Sequence, residues 1–127
     1  MSEEIFRQRI TTLENGIAEE QERIRRLQSC RARLIGQESI MSHASTKFKE
    51  PVLTQATWGG KQADQFEDLR DTEVVTPYQE LLDSVGDAIE RTERKIDERQ
   101  DVLTWQFINL NNAQAGLENV LERERNK

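Results

Sequence analysis

The chain reads as all-α: an elongated antiparallel helical hairpin, two long helices packed in coiled-coil fashion about a Trp-x-Gly turn. Three observations point there. Charged residues make up 33% and hydrophobic residues 35% of the 127 positions, too lean for a thick globular core but suited to helices that bury a narrow apolar stripe. Two long segments carry apolar residues at heptad spacing. Between them lies Thr57-Trp58-Gly59-Gly60, where the chain can fold back on itself. We expect a single domain over 1–127, with helix 1 over about 3–46, the turn over about 54–61 and helix 2 over about 62–124.

In helix 1 the apolar positions are Phe6, Ile10, Leu13, Ile17, Ile24, Leu27, Leu34 and Met41, the alternating spacing of a heptad seam. Glu20, Arg31 and Glu38 interrupt it. Gly16 and Gly36 each cost about 1 kcal/mol relative to Ala inside a helix, which predicts bending there or close approach of another backbone. The run Ser42-His43-Ala44-Ser45-Thr46 predicts loosening, and Pro51 restricts Glu50, so helix 1 ends before it.

After the turn, Ala63, Phe66 and Leu69 share one helical face. Thr76-Pro77-Tyr78-Gln79 has two readings. Thr76 caps a fresh helix with Gln79 closing a capping box, or Pro77 only kinks a continuous helix near 74–77; we favour the kink. Beyond it Val75, Leu82, Ile89, Ile96, Leu103, Leu110 and Leu117 recur every seventh residue. The companion row, Tyr78, Val85, Thr92, Arg99, Gln106, Ala113 and Val120, is polar in the middle, so the seam reads as one row wide and suited to packing on other helices. We take Leu82, Ile89, Ile96, Leu103, Leu110 and Leu117, with Trp105, as a partner-binding seam. The basic tail residues Arg123, Arg125 and Lys127 suit a helix C-terminus.

Net charge is −6, divided as 9 basic and 8 acidic residues in 1–50 and 9 and 16 in 51–127. Folding at about residue 56 sets Arg23, Arg25, Arg26, Arg31 and Arg33 opposite Glu80, Asp83, Asp87, Glu90 and Glu93, which supports the antiparallel topology more than the stability. We therefore read the arginine cluster as a solvated charge face and expect no nucleic-acid ligand. Cys30 is the one cysteine and His43 the one histidine, which leaves no internal disulfide and no Cys/His metal spacing. His43 has no evident acid-base partner, the carboxylates show no catalytic pairing, and Gly59-Gly60 is no phosphate loop. We expect no enzyme activity, catalytic residue, metal or cofactor. With no uninterrupted apolar run we expect neither membrane insertion nor a cleavable signal peptide, hence synthesis in the cytoplasm with leaderless export left open.

Trp105, with Ile108 near it on the same helix, lies off the aliphatic row. It is either an anchor for a partner or a lid on the hairpin end against Ile5 and Phe6. Trp58 is either a hairpin plug or a recognition element.

The stretch Ala56-Thr57-Trp58-Gly59-Gly60-Lys61-Gln62-Ala63-Asp64-Gln65-Phe66 resembles the Trp-x-Gly turn of the WXG-type (ESX-like) helical-hairpin superfamily of type VII secretion. The long second helix is similar to the small helical accessory proteins encoded with LXG-domain toxins in Gram-positive bacteria. The resemblance implies an export adaptor that binds the helical N-terminal domain of a cognate LXG toxin, with a second small helical accessory protein and the secretion machinery as further partners. Trp58, Gly60 and Phe66 then form the export-recognition turn. The family's aromatic-x-x-x-acid tail motif has no counterpart, since Tyr78 is followed four residues on by Leu82, Phe66 by Arg70 and Phe107 by Asn111. The resemblance thus implies that a partner carries that half of the signal, or that this chain assists export without it. The alternative is a self-associating coiled-coil scaffold, a homodimer or tetramer built on the Val75–Leu117 row.

Overall fold

A computed structural model describes residues 2–48 and 59–127. Among the described residues the elements are helices, α1 (Glu3–Ser45), α2 (Gly60–Arg70), a π-helical turn (Asp71–Val75) and α3 (Thr76–Arg125), and the two long helices pack against each other as a hairpin.

Local chemistry sets each boundary of α1. Ser2 accepts a hydrogen bond from the Ile5 amide on its Oγ at 3.4 Å, and Glu3 and Glu4 occupy the first turn, where carboxylates suit the helix dipole. At the other end the Ser45 and Thr46 hydroxyls donate to the Ser42 and His43 carbonyls, each at 2.7 Å. These hydroxyls satisfy carbonyls that a continuing helix would have claimed, and the chain tightens into a turn through Phe48. α2 starts from Gly59, whose backbone is extended (φ −59°, ψ 135°) and whose carbonyl accepts the Ala63 amide at 3.0 Å.

Pro77 neither starts a helix nor stops one. Thr76 has helical dihedrals (φ −64°, ψ −49°), not the extended backbone of a cap, and its amide donates to the Asp71 carbonyl five residues back. Gln79 donates to Asp83 at 3.1 Å and closes no capping box. The proline lacks an N–H and its ring crowds the preceding turn, so one wider turn absorbs the mismatch and helical backbone continues on both sides.

The described chain forms two compact units, Met1–Ser29 with Glu93–Lys127, and Cys30–Thr92. In the first, positions that meet across the hairpin run in opposite senses: Gly116 lies beside Phe6, Gln106 beside Gly16 and Arg99 beside Glu20. Ile17, Ile24, Ile96 and Ala113 are buried there. In the second, Gly86 lies beside Glu38, and the Phe48 and Tyr78 rings meet edge-on with centroids 4.6 Å apart. Ala63 and Ile89 are its buried apolar residues.

Two glycines make opposite predictions. Nothing lies within 4 Å of a Cβ placed on Gly36, so Gly36→Ala gains helix propensity alone, about 1 kcal/mol of stability. At Gly116 the Cβ would stand 2.6 Å from Phe6 Cζ, and displacing that ring costs about 1–3 kcal/mol, more than the propensity returns. Thermal melts followed by circular dichroism should show Gly36→Ala melting higher than wild type and Gly116→Ala lower.

Candidate protein-interaction surface

Both heptad rows of α3 turn inward. Ile89 and Ile96 are buried, and Leu82, Leu103, Leu110 and Leu117 are half-buried, as are most residues of the companion row, whose polar middle was expected to leave the seam one row wide. Two of its polar members are satisfied or screened locally, while the buried Gln106 Oε1 has no hydrogen-bond partner among the described residues. The Thr92 hydroxyl donates to the Ala88 carbonyl at 2.8 Å, Arg99 meets Glu20, and Gln106 lies against Gly16, whose missing side chain leaves it room. The seam is therefore two rows wide and is spent on the chain's own hairpin. A partner helix that engaged Ile89 or Ile96 would first have to open it.

Glu20 sits in the middle of this contact and is 1% exposed. Arg23 Nη1 on the same helix donates to its Oε2 at 3.2 Å, and Arg99 Nη1 stands 3.5 Å from its Oε1, an ion pair without hydrogen-bond geometry. This cross-helix pair has its acid on the first helix and its base on the last, the reverse of the opposition expected from the arginine cluster. Arg25 and Arg26 instead turn back to Glu22 on their own helix, Arg25 in a two-pronged pair at 2.8 and 2.6 Å. Hydrogen bonds from Arg25 and then Arg26 hold the Glu22 carboxyl down at about 2. Residues three and four apart on one helix meet at little entropic cost, which favours this pairing over a cross-helix one.

Of the recognition turn, Trp58 lies outside the described residues. Gly60 is the first residue of α2, and Phe66, 41% exposed, has the Arg70 guanidinium 5.8 Å above its ring. Among the described residues no cluster of His, Cys, Asp and Glu could hold a metal ion, and no helix is long and apolar enough to cross a membrane. A cleft in the second unit, lined by Ser45, Thr46, Phe48, Val75 and Gln79, offers hydroxyls and an amide but no ionisable side chain.

Trp105 is the member of the expected seam that stays outside, 65% exposed, with Ile108 at 42%. It does not close the hairpin end: Phe6 packs on Gly116, and Gln106, next to Trp105, faces Gly16. Val102 and Phe107 are exposed beside it, so the helix is apolar on nearly every side here although only one face meets α1. A signal for this surface was present in the residues but not used. From Val102 to Leu117 there is no Asp, Glu, Lys or Arg, in a chain one-third charged, and the outward positions carry amides such as Asn109, Asn112 and Gln114. Absence of charge combined with exposed aromatics marks the desolvated centre of protein interfaces.

No curated protein and no solved structure matches the chain. A family model, YwqH-like, matches residues 2–121. That match covers well over half of the chain, and the chain therefore belongs to the YwqH-like family, small helical proteins associated with LXG toxins.

Proposed function

We propose that this chain is a type VII secretion accessory protein that binds the helical N-terminal domain of a cognate LXG toxin and promotes its export. Membership of the YwqH-like family over residues 2–121 carries this reading. Two features support it. A helical hairpin with a thin core can lie along a helical partner as a further member of a bundle. Exposed Ile35, Ile40 and Leu81 offer apolar area that the hairpin leaves in water. In this reading the Trp-x-Gly turn around Trp58 and Gly60 follows the WXG pattern and is read by the export machinery, a partner supplies the missing tail motif, and the chain performs no chemistry of its own. The rival scaffold built on the Val75–Leu117 row has less to stand on, because that row, buried at Ile89 and Ile96 and half-buried elsewhere, faces the chain's own hairpin.

Co-expression with the adjacent LXG-type gene product is expected to yield a complex that co-purifies, and deletion of this chain to lower secretion of that toxin. Trp58→Ala is expected to keep the complex and lose export. Toxin secreted normally without this chain would refute the reading as a whole, whereas normal secretion with Trp58→Ala would refute only the role of the turn.

A further inference from the structure

One exposed row of α3 repeats at helical spacing opposite the buried seam: Arg94, Glu98, Asp101, Trp105, Ile108, Asn112, Ala115 and Asn119, every one of them exposed. Its steps alternate between four and three residues, the spacing of a stripe that a second helix can follow. All eight lie in the unit that contains Glu93–Lys127.

We propose that this row is a self-association face, on which a second copy of the chain packs α3 against α3 in antiparallel fashion about a two-fold axis passing between residues 106 and 107. The row is self-complementary about that point. Trp105 of one copy meets Ile108 of the other twice over, which puts the apolar centre at the axis. One step out, the Asp101 carboxylate faces Asn112 of the second copy, an acceptor opposite an amide donor. Further out Glu98 faces Ala115 and Arg94 faces Asn119, so no like charges oppose each other. An isologous contact demands this reciprocity, residue i on j and j on i. Sliding the pair by one heptad in one direction would set Asp101 on Trp105 and Glu98 on Ile108, leaving carboxylates against apolar groups, and in the other would part the Trp–Ile pairs by setting Trp105 on Ala115 and Ile108 on Asn112, so the register is specified.

Charge selects the occupant. Two copies carry −6 each and repel over most of their surface. The Val102–Leu117 run carries no charge, so it is where two copies approach at least cost, and its amides are donors and acceptors at once. A foreign partner would more profitably be selected by charges complementary to its own, and this run offers none. The apolar centre is only two Trp–Ile pairs, which places the dimer among small, weak interfaces with micromolar dissociation. This proposal does not rest on the toxin-binding reading and stands or falls separately.

Sedimentation velocity on the full chain, from low micromolar to near-millimolar concentration, should show a monomer–dimer equilibrium. Trp105→Glu should weaken it by about 100-fold or more, as loss of a central aromatic anchor does, with the far-ultraviolet spectrum unchanged because the residue is outside the hairpin core. Gln114→Glu adds the same charge away from this row and should leave association as it is. In a Cys30→Ser background, Asp101→Cys combined with Asn112→Cys should oxidise to a covalent dimer, and neither single cysteine should. A monomer at every concentration, association unaffected by Trp105→Glu, or crosslinking by Asn112→Cys alone would each overturn the proposal.

Discussion

Ile96→Asp is expected to unfold the chain, with loss of most of the helical circular dichroism at room temperature. Ile96 is 3% exposed, in a unit whose other buried apolar side chains are Ile17, Ile24 and Ala113. Removing a buried isoleucine side chain costs about 2–5 kcal/mol before the new charge is counted. The carboxylate adds more, because Asp at 96 sits three residues before Arg99 and competes with Glu20 for one guanidinium. One of the two acids is left without it. Domains of this size are stable by about 5–15 kcal/mol, and a core this thin belongs near the bottom of that range. Leu103→Asp, at a half-buried seam position, should act in the same direction with a smaller effect. Such variants therefore report on folding and not on association; self-association is tested by substitutions on the outward row. A well-folded Ile96→Asp chain would mean that the α1–α3 contact is not the source of stability.

The hairpin was legible because its signals are local or strictly periodic. The seven-residue recurrence from Val75 to Leu117 faces inward throughout, and the Ser/Thr-rich run after Met41 does end the first helix. Two misreadings have one physical origin. The row containing Thr92, Arg99 and Gln106, polar in its middle, was read as leaving the seam one row wide, and the arginine cluster was placed opposite the acids of the second helix. Whether a polar side chain can be buried depends on what stands opposite it, and that depends on register, which heptad spacing alone leaves free by a whole repeat. With Glu20 opposite Arg99, the row can be buried; with Glu22 one turn away, Arg25 and Arg26 have no need to reach across. At Pro77 a kink or a fresh helix start was left open, with the kink favoured; the π-helical turn just before it is a backbone feature that residue types alone do not specify. The outward Trp105 row was half legible. The tryptophan stood out, but the charge-free run around it is visible only when an absence is counted.

Arg99→Ala is expected to destabilise the chain by about 2–4 kcal/mol, far more than loss of an exposed ion pair, while Glu20→Leu combined with Arg99→Leu is expected to stabilise it. The asymmetry comes from burial. Glu20 is 1% exposed and its Oε1 accepts no hydrogen bond among the described residues, so two guanidinium groups are its charge partners. Taking away the one supplied by α3 leaves a desolvated carboxylate with Arg23 alone. Breaking a buried pair costs about 3–5 kcal/mol, reduced here because Arg99 is itself one-third exposed and Arg23 stays in place. Replacing both partners with leucine removes the desolvation penalty and adds apolar burial, a change worth about 1–4 kcal/mol in comparable buried pairs. Urea denaturation of the two variants and wild type measures both signs. The pair is then kept for register: it is the polar layer that tells α3 where to stop along α1, and a one-heptad slip would set the buried Glu20 against Thr92 or Gln106, neither of which carries a compensating positive charge. Register in turn decides which residues face outward, so the leucine pair should gain stability while losing the uniqueness with which Trp105 is displayed. Hydrogen exchange along α3 should show this as faster exchange around residues 102–110 in a variant that melts higher. If exchange there slows along with the gain in stability, the pair has no role in register.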